Sequence, residues 1–171
     1  AGGGLDNEPG ALDEFDERAI EFAAVGDFRE RVLRRPHRQA LDLLLEGFFE
    51  ASELPVIAGA NLSTVVHCED QIRLLHAARL PSRVGVYLKI DTGMNRLGVP
   101  AAQAKSALER LRECSAVGPI TLMTHFATAD DAESPFLDEQ RGRFERAAAA
   151  LGAMGLRGVK RHASNSAGLL R

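Results

Sequence analysis

From about residue 40 onward, short apolar runs alternate with longer stretches of helical periodicity, and that alternation leaves few folds open. "VGVYLKI" (84–90) carries Val84, Val86, Leu88 and Ile90 at every second position. "LDLLLEG" (41–47, ended by Gly47), "TVVH" (64–67) and "PITLMTH" (119–125) are further strand candidates, and "GVKRHAS" (158–164) is a less apolar one. Between them lie helical patterns. Ile72, Leu75 and Ala78 follow Glu69 and Asp70, acids placed where a helix dipole favours them. Ala104, Ala107, Leu108 and Leu111 share a face after Ala101, Leu137, Phe144 and Leu151 form a stripe over 136–152, and another helix is expected from near Ser166. Strands apolar on both faces, each followed by a helix, imply a parallel sheet covered by helices.

Two architectures satisfy this pattern: a doubly wound open sheet and part of a (β/α)8 barrel. Polar clusters fall at the C-terminal ends of three successive strands: Lys89 and Asp91 with Arg96, His125 with Asp130, and Asn165 with Ser166. Both folds place their sites at that end. No GxGxxG or GxxxxGK[ST] loop is present, which argues against the nucleotide-binding open sheets. The expectation is therefore an α/β chain forming an incomplete (β/α)8 TIM-type barrel of about four to five parallel strands. A whole barrel takes roughly 250 residues, and this chain has 171. With no initial methionine and an end at Arg171 inside a nascent helix pattern, it reads as a truncated chain, divided into an atypical segment at 1–40 and a partial barrel at 41–171.

Composition narrows the function classes. A 45% hydrophobic, 26% charged chain is an ordinary globular one, and a net charge of -3 gives no footprint for nucleic acid or anionic membranes. No apolar run approaches the length of a bilayer span. Two cysteines, Cys68 and Cys114, are too few for a disulfide framework and suit a reducing, cytoplasmic setting. His67, Cys68 and His76 match no standard zinc spacing, so no metal site is expected.

Each polar cluster has an ordinary reading and a chemical one. Composition alone makes Lys89 an exposed strand-end lysine paired with Asp91. Alternation, however, aims it opposite to Leu88 and Ile90, and in a barrel one of those directions is the interior. Arg96 follows a glycine turn near Met94 and Leu97, where a guanidinium held by a tight loop suits bidentate capture of a carboxylate. His125 ends a buried strand, a position that in a barrel tips a histidine toward function. Asp130 and Asp131 read as loop and capping residues. Asn165 and Ser166 are helix N-cap residues, and the free N–H groups there also attract phosphate.

At these residues the sequence resembles the alanine racemases. "LKIDTGMNRLG", "THFATAD" with Gln140 and Phe144 downstream, and "ASNSAGLLR" are similar to three successive signatures of that family, and "LLLEGFFEASELP" (43–55) and "VVHCEDQIRLL" (65–75) to the segments between them. The resemblance covers residues 43 to 171. It implies a pyridoxal 5'-phosphate-dependent isomerase that interconverts L- and D-alanine for peptidoglycan, a cytoplasmic homodimer with an N-terminal barrel and a C-terminal β domain absent here. It assigns Arg96 to the substrate carboxylate and the cofactor's phenolic oxygen, and Lys89 to a carbamylated support for Arg96. His125 matches the histidine bonded to the partner subunit's catalytic tyrosine, and Ser166 with Asn165 the phosphate-binding turn.

Departures accompany the match. The family's Schiff-base lysine segment has no counterpart; the three lysines are Lys89, Lys105 and Lys160, and the single tyrosine is Tyr87, within a strand. "FRERVLRRPHRQ" is arginine-dense where the family carries other text. The expected function is that of an alanine racemase present as a partial chain, inactive alone. The alternative is a non-catalytic remnant that binds phosphate or pyridoxal phosphate weakly, and a third option is another enzyme of the same barrel type, such as an amino-acid decarboxylase.

Overall fold

A computed structural model describes residues 43–129, 131, 134–152 and 160–163. The strands are β1 (Leu43–Leu44), β2 (Ser63–Val66), β3 (Val84–Asp91), β4 (Val99–Pro100), β5 (Val117–Thr124) and β6 (Arg161–Ala163). The helices are α1 (Leu54–Gly59), α2 (Glu69–Ala77), α3 (Ala104–Glu113) and α4 (Phe136–Gly152), with single 3-10 turns at 51–53 and 101–103 leading into α1 and α3. The main sheet runs β1-β2-β3-β5-β6 with every pair parallel, and β4 adds a short parallel pairing to the end of β3. Five parallel strands in sequential order with intervening helices make half of a (β/α)8 barrel. The expected fold class is correct. The 1–40 segment, Asp130, Asn165, Ser166 and the helix expected near Ser166 lie outside the described residues.

The helices occupy one face of the sheet. Leu54 and Ile57 of α1, Ile72 and Leu75 of α2, Leu108 and Leu111 of α3 and Phe144 of α4 share one core with Val66, Val86, Leu88, Ile90 and Leu122 of the strands. Side chains alternate across a strand, so the residues between these point to the opposite, inner face. There Leu43, Val65 and Met123 form a second, smaller cluster with Leu45 and Tyr87 against it.

Two local features differ from the sequence expectation. The α1 helix was not expected, because Leu54, Ile57 and Ala58 are too short a run to show a period. Its entry is fixed instead by Pro55 in the first turn and by Glu53, whose carboxylate accepts from the Phe49 and Glu50 N–H groups. The strand expected from Pro119 begins at Val117, and its register against β3 shifts between Val84 and Val86. Pro119 has no N–H to give the ladder, so a bulge there is the natural accommodation.

Between α2 and α3 the exposed ion pair Arg110–Glu69 joins neighbouring helices. Solvated pairs of this kind contribute little. Glu69→Gln is expected to lower stability by less than about 1 kcal/mol, and high salt should erase the difference in denaturant midpoint. Among the described residues no helix is long and apolar enough to cross a membrane.

Candidate active site

The inner face becomes polar toward the C-terminal ends of the strands. Lys89 of β3, Met123 of β5 and His162 of β6 stand in one row across the sheet. Lys89 is only 3% exposed, which overturns the exposed strand-end lysine that composition favours. Strand alternation turns it opposite to Leu88 and Ile90, onto the inner face, where β2 and β5 stand on either side.

His125 follows β5 two residues beyond Met123. Burial, then the nearby Lys89, His162 and Arg96 charges, push its pKa down from 6.5 to about 4. Its ring is therefore neutral at neutral pH, and among the described residues its buried Nδ1 has no hydrogen-bond partner. His67, after β2, is also held below its ordinary value, chiefly by burial and secondarily by Lys89, against the opposing hydrogen bond to the Glu46 carbonyl. Two histidines that follow separate strands thus both lie within reach of Lys89. His67 and His162 were not among the expected site residues; their signal was their place in register with the others, which only strand pairing supplies.

Arg96 is exposed at the rim, on the loop between β3 and β4. The loop's shape is set by backbone geometry. Gly93, Asn95 and Gly98 all have positive φ, at 132°, 55° and 144°. The Asp91 carboxylate accepts from the Gly93 N–H at 2.9 Å and the Asn95 N–H at 3.1 Å, and the Asn95 amide donates to the Gly93 carbonyl at 3.2 Å. Asp91 is therefore a loop-shaping residue. After Gly98 the chain returns beside β3, pairing Ile90 with Val99. The structure thus brings Lys89, His125 and Arg96 to one end of the sheet.

Beneath these residues, toward α4, lies a polar network that periodicity did not reveal. Gln140 is fully buried; its Oε1 accepts from the Ala127 N–H at 2.8 Å, and its Nε2 donates to Thr92 Oγ1 at 3.3 Å and to the His125 carbonyl at 3.4 Å. Thr92 and Thr124 hydroxyls meet at 2.8 Å. Two signals were available: Gln140 accompanies the "THFATAD" resemblance, and it stands four residues before Phe144 on an otherwise apolar helix face.

The donor set suits an anionic ligand. Arg96 supplies positive charge, and the Nδ1 of neutral His125, without a partner among the described residues, supplies a site that binds a hydroxyl or phenol. These residues fit the phosphate- and carboxylate-bearing cofactor and substrate that the sequence resemblance implies.

Comparison with known proteins agrees. Residues 11–171 match the family model described as alanine racemase, N-terminal domain, a match that begins within the segment 1–40. The alanine racemase of Shewanella denitrificans is 38% identical over 170 residues, covering 99% of this chain and 45% of the relative. That of Janthinobacterium sp. is 48% identical over 107 residues, covering 61% of this chain and 30% of the relative. The crystal structure of the biosynthetic alanine racemase from Pseudomonas aeruginosa superposes with a TM-score of 0.67 at 36% identity, over 77% of this chain and 35% of that one. The one from Bacillus anthracis, with bound L-Ala-P, gives 0.68 at 28% identity over 83% of this chain and 37% of that one. The chain thus spans less than half the length of these relatives. On the family match and the shared half-barrel, it belongs to the alanine racemase family and lies within that family's N-terminal barrel domain.

Proposed function

We propose that this chain supplies one part of an alanine racemase active site, taking alanine as substrate and pyridoxal 5'-phosphate as cofactor, within a cytoplasmic homodimer that makes D-alanine for peptidoglycan. The observation that carries the reading is the convergence of Lys89, His125 and Arg96 at one sheet end in a chain of this family.

Arg96 sits on a loop whose backbone is fixed by two glycines and an Asp91 turn, and we assign its guanidinium to bidentate capture of the substrate carboxylate. Lys89, buried on the inner face, is the group we assign to supporting it. Its neutral ε-amine adds to carbon dioxide, forming an N–C bond and releasing one proton. The resulting carbamate anion attracts the Arg96 cation where an ammonium would repel it. His125, neutral at physiological pH, is free to accept a hydrogen bond at one ring nitrogen and donate at the other. That is what holding the hydroxyl of a partner subunit's tyrosine requires. Asn165 and Ser166, outside the described residues, are assigned to the phosphate through backbone N–H groups. The cofactor, when bound, delocalises the electron pair left on alanine Cα after proton removal.

Neither of the two bases that the family uses has a counterpart in this sequence: no lysine besides Lys89, Lys105 and Lys160, and no tyrosine besides Tyr87, is present. We therefore infer that these 171 residues alone bind the cofactor weakly and do not racemise alanine. The test is a titration of purified chain with pyridoxal phosphate, followed by absorbance, with D-alanine formation assayed in parallel. Weak binding that falls at least tenfold in Arg96→Ala, without turnover, is the expected result. Turnover in a preparation free of host racemase would refute the inactivity. Binding unchanged in Arg96→Ala but displaced by inorganic phosphate would favour a bare phosphate-binding remnant. Carbon-13-labelled bicarbonate should also give a carbamate carbon resonance that disappears in Lys89→Met.

A further inference from the structure

We propose that Gln140 is a positioning residue: its buried amide fixes the start of the Arg96 loop relative to the strand end that carries His125. What those two side chains do rests on the reading above, but the coupling itself is a property of this chain.

Hydrogen-bond polarity leaves the amide one orientation. Its Oε1 faces the Ala127 N–H, which can only donate, so Nε2 must face Thr92 Oγ1 and the His125 carbonyl. The Thr124 hydroxyl donates to the Ile90 carbonyl at 2.9 Å. Its proton being committed, Thr124 must accept from Thr92, and Thr92 in turn accepts from Gln140. A single directed chain therefore runs from Gln140 through Thr92 and Thr124 to the backbone of β3, one residue past Lys89. Arg143, one turn further along α4, donates to the Thr92 carbonyl at 3.0 Å and lies over the Phe136 ring. Thr92 is thus held through both its side chain and its carbonyl, and it is the first residue of the loop that presents Arg96.

The device occurs twice. Gln71 of α2, 3% exposed, accepts from the His67 N–H at 2.8 Å and donates to the Phe48 carbonyl at 2.9 Å. It clips the loop after β1 to the end of β2, as Gln140 clips the loop after β3 to the end of β5. Gly47 shows how close that approach is, since a Cβ there would lie 2.4 Å from Gln71 Nε2. An ordinary apolar side chain at either position would pack α2 or α4 equally well. Only an amide both accepts from one strand end and donates to the neighbouring loop.

The experiment compares the parent chain with Gln140→Met, Gln140→Glu, Thr124→Val and, as control, Gln71→Met. Its readouts are the His125 imidazole titration by NMR and stability as a function of pH; cofactor plays no part, so a failed function assignment leaves the result readable. The charges that reach His125 are Lys89 on β3, His162 on β6 and Arg96 on the loop; all are retained in every variant. Gln140→Met and Thr124→Val are expected to raise the His125 apparent pKa by about half a unit or more, as the strand end loosens and the ring gains solvent. Gln71→Met should leave it unmoved at comparable loss of stability. In Gln140→Glu the new carboxylate oxygen opposes the His125 carbonyl, so its folded pKa is raised. Its deficit relative to parent is largest at neutral pH and shrinks as pH falls and the protonated acid donates again, a recovery that Gln140→Met cannot show. Equal His125 titrations in the parent and both network variants, or an equal shift from Gln71→Met, overturn the proposal. So does a Gln140→Glu deficit independent of pH; this arm decides the matter if Gln140→Met fails to fold.

Discussion

Gly98→Ala is expected to lose on the order of 3 kcal/mol of stability, from a single added methyl at a surface loop. Gly98 has φ 144°, a conformation that L side chains rarely adopt. Its added Cβ would also lie 2.7 Å from the Asp91 nitrogen and 3.0 Å from the Asp91 Cα. These are backbone atoms at the end of β3 and cannot turn aside, so the loop itself must move. The parallel pairing of Ile90 with Val99 and the Asp91 bonds to Gly93 and Asn95 go with it, and Arg96 loses its fixed position. Gly59→Ala is the matched control. It closes α1 with nothing within 4 Å of an added Cβ, and the substitution should be neutral or stabilise by up to about 1 kcal/mol. Denaturant midpoints for the two variants check the prediction; a loss at Gly98 below about 0.5 kcal/mol would mean that the loop adapts, contrary to the geometry.

Acidification should destabilise the chain between about pH 6.5 and pH 4, through His125. The folded pKa of about 4 lies below the ordinary 6.5, so the unfolded state binds the proton more readily. The stability from keeping the ring neutral is complete above 6.5 and is lost progressively as pH falls toward 4. One unit is worth about 1.4 kcal/mol, and the ring is partly solvated, so the discounted effect is roughly 1–3 kcal/mol. His67, also held low, adds a change of the same sign. NMR titration should show His125 as the most acidic of the imidazoles, and His125→Gln should flatten the stability profile over this window. A His125 titration near 6.5 would contradict the burial on which the neutral-imidazole role depends.

Much of the fold was legible in particular residues. Ala104, Ala107, Leu108 and Leu111 form the buried face of α3, as their spacing requires, because a helix shows its core contacts as a local period. Val84 through Ile90 alternate, and β3 carries that alternation into two faces. Lys89 was half legible. Its direction relative to Leu88 followed from the strand period, but its burial did not, since that depends on β2 and β5 standing on either side. Asp91 shapes the loop through its bonds to the Gly93 and Asn95 N–H groups, a role that composition does not show.

The sequence by itself determined the alternation of the longer strands and helices, the sheet's parallel sense, apolar core positions on α2, α3 and α4, the glycine-built turn at 91–98 and the family, though not α1 or β4. Those rest on periods, turn residues and motifs that lie within a few tens of positions. Tertiary structure alone decided that Lys89, His125, His162 and Arg96 share one field, and that Gln140 reaches Thr92 across 48 residues of chain. Such contacts arise from strand register and from a helix crossing two strand ends. Neither leaves a local trace, because a buried amide and an apolar residue occupy the same position in a helical period.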